Sequence, residues 1–373
     1  MSSHPENDIE QKLQRVESVP ALLASGNDAV YLFADTIEVP APHETIRYDA
    51  GGTAHILTRQ IAGAPPRRIL KLHDAVAQKA VISGWNQLTG AVYDSNGRLV
   101  PDSKVRIAQN CPDRLDAGIA AAVVRKPGVH IYLGHFNVVY GHFILETIAR
   151  CWALDFIDDE DARFVFLKIR KYELETTGYA LEFFEMMGID PGRIDVIDAD
   201  TVFDTLYVPS AVVDLGNTIH PLQIEACRRL AKKADAGGDD SSPSKLYLSR
   251  ARLGIGSHRY YNEEELEAGF AATGFDIVHP QELPIADQLK FYARASYIVG
   301  AVSSVLHNSV FAPADCTVVA FDGRAGEGGS PYTIQQQICA AIGQPMRVVD
   351  CHRAPSPRPP SPQPCRKTGR SGS

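Results

Sequence analysis

Short apolar runs alternate with amphipathic segments throughout residues 245–353, and few folds accommodate such a pattern. The alternation predicts strands at 245–249, 276–279, 297–300, 317–321 and 346–349, with helices at 262–272, 285–294, 304–311 and 333–342. Strands separated by helices form a parallel sheet with helices on both faces. Because such sheets bind ligands outside the carboxyl ends of their strands, we expect functional side chains there.

Residues 132–234 show a second, less regular alternation. It predicts helices over 140–156, 174–187 and 221–234, with strands at 164–167 and near 194–197 and 206–208. Before it, residues 29–107 are rich in short β-type runs and include a hairpin signal at Asn96-Gly97. We therefore predict an α/β protein with a β-rich N-terminal segment and two Rossmann-type domains that face each other across a cleft.

Low-complexity stretches set the predicted domain boundaries. The Gly-, Ser- and Asp-rich residues 235–244 predict a linker between an N-terminal domain, 21–234, and a C-terminal domain, 245–353. Residues 1–20 and 354–373 have too few apolar side chains to offset the entropy of ordering. Both ends are therefore predicted to be disordered.

Charge and cysteine usage exclude several classes of protein. The 37 Lys and Arg against 45 Asp and Glu give a net charge of −8, which argues against a nucleic-acid-binding protein. No two of the seven cysteines form a CxxC pair, so reduced thiols are expected. The sequence shows no secretory leader and no apolar run near the ~20 residues of a membrane span. We expect a cytoplasmic protein without a transmembrane segment, and peripheral membrane association stays open.

The first segment that carries chemistry is residues 140–150, YGHFILETIAR. A helix would place His142, Glu146 and Arg150 in one polar stripe, because they are spaced four residues apart. The remaining circumference is mostly apolar, so the stripe is not expected to face bulk water. Two interpretations fit equally well: a cleft wall that offers a base, or an internal ladder of paired charges.

Two arginines form the second candidate site. Arg250 ends the predicted strand 245–249, and Arg259 follows in a glycine-containing loop. Arginine suits a phosphate because its charge is permanent and its donors are forked. The alternative, a pair of solvated surface charges, is about equally consistent with the pattern.

The third candidate lies after the strand predicted at 297–300. Ser303 and Ser304 open the next helix, whose first N–H groups and hydroxyls could bind an anion. His307 and Asn308 follow one turn later. Serine is also a common N-cap residue, so this signal is weak when taken alone.

Other motifs are absent or are better explained by turns. Asp198-Ala-Asp200 spells a DxD, a motif that binds a metal and a nucleotide in some glycosyltransferases, but it follows a short strand and predicts a turn. No GxGxxG follows a strand, and the chain has no P-loop. We therefore predict neither a metal site nor a bound cofactor.

In their order and spacing, three of these segments resemble glycosyltransferase family 61, which includes capsular-polysaccharide transferases and plant xylosyltransferases. They are YGHFILETIAR, LYLSR with the downstream NEEEL, and GFDIVHPQELPIADQLKFYARASYIVGAVSSVLHNSVFAP, within about 134–322. The resemblance implies a two-domain GT-B-type architecture and an inverting transfer from a nucleotide sugar bound by the C-terminal domain. Many members have glycine where this chain has Ser303, so donor choice could differ.

The resemblance also implies roles for the candidate residues. Glu146 or His142 would be the base, with Glu146 preferred, and the acceptor would be a glycan, a lipid-linked glycan or another hydroxyl compound. The donor would be the nucleotide sugar of a hexosyl- or pentosyltransferase, and no further cofactor is implied. Two alternatives remain: a non-catalytic sugar- or nucleotide-binding scaffold, and a nucleotide-sugar epimerase or hydrolase. The donor site would be formed by Arg250, Arg259, Ser303, Ser304, His307 and Asn308.

Overall fold

The computed structural model describes residues 14–15, 28–32, 42–49, 51–59, 63, 66–84, 87–105, 109–115, 124–157, 159–169, 174, 177–236, 244–253, 262–323 and 332–351. Its strands are β1 Gln14–Arg15, β2 Ala29–Leu32, β3 His43–Tyr48, β4 Ala54–Arg59, β5 Arg68–Ala77, β6 Ile82–Gly84, β7 Gln87–Leu88, β8 Val92–Tyr93, β9 Val124–Phe136, β10 Arg163–Lys168, β11 Ile194–Ile197, β12 Thr201–Pro209, β13 Val213–Asp214, β14 Thr218–Ile219, β15 Lys245–Leu248, β16 Asp276–Val278, β17 Tyr297–Ala301, β18 Thr317–Asp322 and β19 Met346–Asp350.

The α-helices are α1 Tyr140–His142, α2 Gly178–Met186, α3 Pro221–Asp235, α4 Glu263–Ala272, α5 Ile285–Ala293 and α6 Tyr332–Ile342. A π-helical turn covers Phe143–Thr147, and 3₁₀ helices cover Pro101–Ser103, Cys151–Asp155, Pro191–Arg193, Pro280–Glu282 and Ser304–Phe311. None of the helices in these described ranges is long and apolar enough to cross a lipid bilayer.

One large sheet has the strand order β1-β2-β5-β12-β9-β10-β11, and β8 also pairs with β5. Strands β12, β9, β10 and β11 run parallel, whereas β5 is antiparallel to β12. The predicted strands of this half are confirmed. Asn96 and Gly97 lie in a tight turn in which the Gly97 N–H donates to the Asp94 carbonyl at 2.9 Å.

The other large sheet has the order β16-β15-β17-β18-β19-β3-β4. All five strands predicted after residue 244 are present, and they are parallel. The helices predicted between them are present within one or two residues at each end. The prediction of an α/β protein with parallel sheets is therefore confirmed.

The hairpin of β3 and β4 extends this second sheet, although it comes from the β-rich segment near the N-terminus. Strand β3 runs parallel to β19, and β4 pairs antiparallel with β3. Arg47 of β3 binds the Asp350 carboxylate of β19, with an Nε–Oδ2 distance of 2.9 Å. The second sheet is thus built from two distant parts of the chain. The domain boundaries stay predictions: the central linker residues 237–243, and the predicted disordered ends except 14–15, lie outside the described residues.

The predicted helix over 140–156 is not regular. Its first turn, α1, continues into a π-helical turn in which the Ile148 N–H donates to the Phe143 carbonyl at 3.2 Å. A π-turn holds an extra residue and rotates whatever follows it relative to a regular α-helix. The single polar stripe expected of His142, Glu146 and Arg150 is therefore wrong beyond Glu146.

Direct contacts join the two halves. The Ile285 N–H at the start of α5 donates to the Glu182 carboxylate of α2 at 2.7 Å, which caps one half's helix with the other half's side chain. The Phe183 and Phe311 rings stack at a centroid distance of 5.9 Å. Both residues belong to one hydrophobic core, which includes side chains from both sheets.

Candidate active site

The order of the second sheet marks one strand edge as special. The chain runs from β15 to β16 on one side and then crosses to β17 on the other, so the direction of winding reverses between β15 and β17. Doubly wound sheets bind their ligands in the crevice at such a reversal, outside the carboxyl ends of the strands. Arg250 follows β15 and Ser303 follows β17, so two predicted site residues lie at this edge.

Arg250 is held at the edge by its backbone. Its N–H donates to the buried carboxylate of Glu263 at 2.7 Å, at the start of α4. The Arg250 side chain is half-buried. Arg259, the second predicted arginine, lies outside the described residues.

The Ser303 hydroxyl does not cap the helix that follows it. Ser303 has an extended backbone, and its Oγ donates to the Ala301 carbonyl at 3.2 Å. The 3₁₀ helix Ser304–Phe311 therefore begins without a side-chain cap. An uncapped start leaves helical N–H groups available to an anion.

A cavity of about 330 Å³ opens at this edge. Arg250, Ser304 and Asn308 of the predicted site line it, whereas His142, Glu146, Ser303 and His307 do not. Its remaining lining residues are Tyr140, Tyr179, Leu253, Pro280, Gln281, Leu283, Ile285, Gln288 and Val305.

Gly141 brings the two halves into contact beside the cavity. A Cβ on Gly141 would stand 2.8 Å from the Ser304 Cβ and 2.9 Å from the His307 Cδ2, closer than real Cβ contacts. Only a residue without a side chain fits this close to the Ser304 Cβ and the His307 ring. Sequence reasoning missed this residue, because nothing in the local pattern shows what a glycine packs against.

His142 and Glu146 form a hydrogen-bonded pair, with a short contact between Nδ1 and Oε2. The Glu146 side chain is 4% exposed and that of His142 33% exposed. The carboxylate is therefore buried behind an imidazole that solvent can reach. A buried carboxylate on Nδ1 fixes the orientation of the ring.

Arg150 takes no part in that pair. It is fully buried, and its guanidinium donates to three backbone carbonyls, those of Pro209, Asp102 and Lys104, at 2.7–3.0 Å. Burial lowers the pKa of Arg150. Its Nη1 lies against Gly134, where a Cβ would approach to 2.6 Å. The ladder interpretation is therefore wrong for Arg150, which instead ties together two backbone segments.

His307 is buried at the contact with Gly141. Its Nδ1 lies 3.0 Å from the Gln335 Oε1, and the Gln335 Nε2 donates to the Ser309 Oγ at 2.7 Å. Burial lowers the pKa of His307 to about 4, so its ring is neutral at neutral pH. Sequence reasoning also missed Gln335. The signal was there, because three consecutive glutamines, 335–337, occur in an otherwise largely apolar helix.

Both ends of the Asn308 amide are bound to protein groups. Its Oδ1 accepts from the Tyr140 hydroxyl at 2.6 Å, and its Nδ2 donates to the Tyr292 hydroxyl at 3.1 Å. Asn308 thus links α1 of the first half to α5 of the second. The amide also borders the cavity.

The DxD residues lie away from these elements. Asp198 and Asp200 lie in the bend between β11 and β12, and the Asp200 carboxylate accepts the Lys79 N–H at 2.8 Å. In the part of the chain that the structure describes, no group of three His, Cys, Asp or Glu side chains is arranged to hold a metal ion. Asp200 thus stabilises the bend by accepting a backbone N–H.

The fold and the site define an α/β protein in which an arginine and two serines lie at one strand edge, and in which Gly141, next to the His142–Glu146 pair, contacts Ser304 at that edge. The sequence profile of the Glycosyltransferase 61 family matches residues 140–319, which include every site residue predicted from the sequence. The matched segment belongs to that family, and the resemblance found in the sequence is confirmed. Family membership implies a glycosyltransferase, with a sugar donor and an acceptor as substrates. None of the curated proteins compared with the chain matches it.

Proposed function

We propose that the chain is an inverting, metal-independent glycosyltransferase of GT-B-type architecture. It transfers a hexosyl or pentosyl group from a nucleotide sugar to a hydroxyl of a glycan or lipid-linked glycan, in the synthesis of a polysaccharide such as a capsule. The observation that carries the proposal is the contact of Gly141 with Ser304 and His307. Because Gly141 directly precedes His142, this contact supports a candidate base near the strand edge where a doubly wound sheet binds its ligand.

The donor diphosphate binds at the edge between β15 and β17. Arg250 supplies a forked, permanently charged donor, and the uncapped helix start at Ser303 and Ser304 supplies N–H groups. The family resemblance assigns a second guanidinium at the diphosphate to Arg259. These hydrogen-bond donors are fixed in place before the reaction, so they stabilise the negative charge that grows on the leaving diphosphate. Such electrostatic stabilisation is usually the largest single contribution to catalysis. These groups replace a divalent metal.

The acceptor hydroxyl loses its proton to the His142–Glu146 pair. Exposure favours His142 as the proton acceptor, because its imidazole reaches solvent while the Glu146 carboxylate is buried behind it. Glu146 then orients the ring and stabilises the imidazolium that forms, as the carboxylate does in a catalytic triad. The reverse assignment, with Glu146 as base, is the alternative that mutagenesis tests below.

One experiment separates this function from its rivals. Purified protein is incubated with a panel of nucleotide sugars, with and without candidate glycan acceptors, and nucleoside diphosphate release is measured. We expect release that depends on an acceptor. Release without acceptor would indicate a hydrolase, conversion of the donor sugar without release an epimerase, and no turnover of any donor a binding scaffold.

A further inference from the structure

We propose that Gln335 holds His307 in the tautomer protonated on Nδ1, so that its Nε2 accepts a hydrogen bond from a substrate hydroxyl rather than donating one to a phosphate. The inference rests on the proposed function for the identity of the hydroxyl, which would belong to the donor sugar or the acceptor. Gln335 is thereby a positioning residue, and His307 the group that touches substrate.

The orientation of the Gln335 amide determines which nitrogen of His307 is protonated. Its Nε2 faces two acceptors, the Ser309 Oγ at 2.7 Å and the Cys339 Sγ at 3.4 Å. In this orientation its Oε1 faces the His307 Nδ1, at 3.0 Å. An amide oxygen only accepts hydrogen bonds, so the proton of the neutral ring must lie on Nδ1.

The surroundings of the His307 Nε2 leave it available to a substrate. Within the described residues Nε2 has no hydrogen bond, and the Cδ2–Nε2 edge of the ring faces Gly141, where a Cβ would stand 2.9 Å from Cδ2 and 3.5 Å from Nε2. The ring is buried and neutral. The Nε2 atom of the neutral ring therefore has an available lone pair, and it lies beside the turn that carries His142.

A lone pair discriminates between the groups of a nucleotide sugar. Phosphate oxygens offer lone pairs of their own, which Nε2 repels, whereas a hydroxyl offers a proton. The neighbouring helix start at Ser304 offers N–H groups, which suit phosphate. Phosphate and hydroxyl recognition are therefore divided between two residues one helical turn apart.

Nitrogen-15 NMR of the full-length protein labelled at histidine tests the tautomer directly. The His307 signals are assigned by their loss in His307→Asn, and we expect Nδ1 to be protonated and Nε2 unprotonated at neutral pH. A protonated Nε2 would overturn the inference. This readout needs no substrate, so it stands or fails separately from the proposed enzymatic activity.

Two matched variants test the role of Gln335. Gln335→Met removes the acceptor and should give a mixture of the two His307 tautomers. Gln336→Met changes the neighbouring buried glutamine, which binds the Thr45 hydroxyl at 3.2 Å, and should leave the His307 signals unchanged. An unchanged tautomer in folded Gln335→Met would contradict the proposal. Should that variant fail to fold, the wild-type spectrum still decides the tautomer.

Pyrophosphate, as a probe of the phosphate site, tests the division of labour. Its affinity should fall about tenfold or more in Arg250→Ala, which loses charged hydrogen bonds, and stay within about twofold of wild type in His307→Ala. Equal loss in both variants would show that His307 binds phosphate and overturn the inference. Absence of pyrophosphate binding in the wild type would instead count against the proposed donor site.

Discussion

Gly141 packs against Ser304 so closely that an added Cβ would stand 2.8 Å from the Ser304 Cβ. This contact joins the turn that carries the candidate base to the start of the helix that we propose holds the diphosphate. Its geometry gives the sharpest test of the site, because one methyl group is enough to disturb it.

We expect Gly141→Ala to lower the transfer rate by about tenfold to a hundredfold, because displacements near 1 Å at a reacting centre cost that much. Overpacking should also lower the free energy of unfolding by about 1–3 kcal/mol. The control is Gly269→Ala in α4, where a Cβ would meet nothing within 4 Å. Normal transfer by Gly141→Ala would show that the contact is not part of the site.

His142→Ala should reduce transfer by about 10²- to 10⁴-fold through loss of the base, while donor binding is retained. If His142 is the base, added imidazole should restore part of the activity of His142→Ala. The control is Glu146→Ala, which retains the ring, so imidazole should not restore it. Near-normal transfer by His142→Ala, together with an inactive Glu146→Gln, would exchange the two roles.

Arg250→Lys should already weaken nucleoside diphosphate binding, because an ammonium group cannot reproduce the fork of the guanidinium. For Arg250→Ala we expect a loss of about 1.5–3 kcal/mol in binding, measured by calorimetry. Arg252→Ala is the matched control, because Arg252 is 60% exposed and pairs with Glu282. Wild-type affinity in Arg250→Ala would refute the donor-site assignment.

Transfer should survive EDTA, because side-chain cations and a helix terminus replace the metal at the diphosphate. Asp198→Ala should leave the rate unchanged, since Asp198 lies in the bend between β11 and β12. The assay compares rates with EDTA, with EDTA followed by Mn²⁺, and in the variant. Activity lost with EDTA, restored by Mn²⁺ and absent from Asp198→Ala would make the DxD a metal site.

Stability should fall as the pH falls from about 6.5, the usual pKa of histidine, towards 4. Burial lowers the pKa of His135 to about 4, and that of His307 likewise. Over this range the unfolded chain binds more protons than the folded one, so acid favours unfolding, by at most about 1.4 kcal/mol for each unit of pKa shift.

Chemical denaturation at several pH values measures this slope. His135→Phe should flatten it, because the side chain that must stay neutral in the fold is gone. The control is His55→Phe, at a side chain that is 55% exposed. Identical slopes in wild type and His135→Phe would show that His135 does not contribute.

Local pattern was enough to predict the strands β15 to β19 of the second sheet, but not the β3–β4 hairpin that extends it. The strands β15 to β19 and the helices between them follow from alternating apolar runs, which depend only on neighbouring residues. The same reasoning predicted that Arg250 and Ser303 lie at strand ends, and the strand order then brought them to one edge. The five parallel strands, and the strand-end positions of Arg250 and Ser303, could therefore be predicted from the sequence.

The rest depended on contacts between distant residues. The π-turn at Phe143–Thr147 displaced Arg150 from the expected stripe, and helical periodicity cannot reveal an extra residue in a turn. Gly141 matters because it contacts Ser304 and His307, which lie far along the chain. Gln335 matters because it binds His307, which lies in another helix. A sequence pattern predicts the secondary structure that a residue favours, but tertiary packing decides which residues it contacts.

The pairing of β3 with β19 also bears on how the chain is made. Arg47 and Asp350 are 303 residues apart, so β3 leaves the ribosome long before β19 has been made. Until β19 has been synthesised, the edge of β3 that later pairs with it stays open, which makes it a site for wrong pairing or aggregation. Such long-range closure slows folding, because β3 can complete its pairing only after β19 has been made, 303 residues later for Arg47 and Asp350.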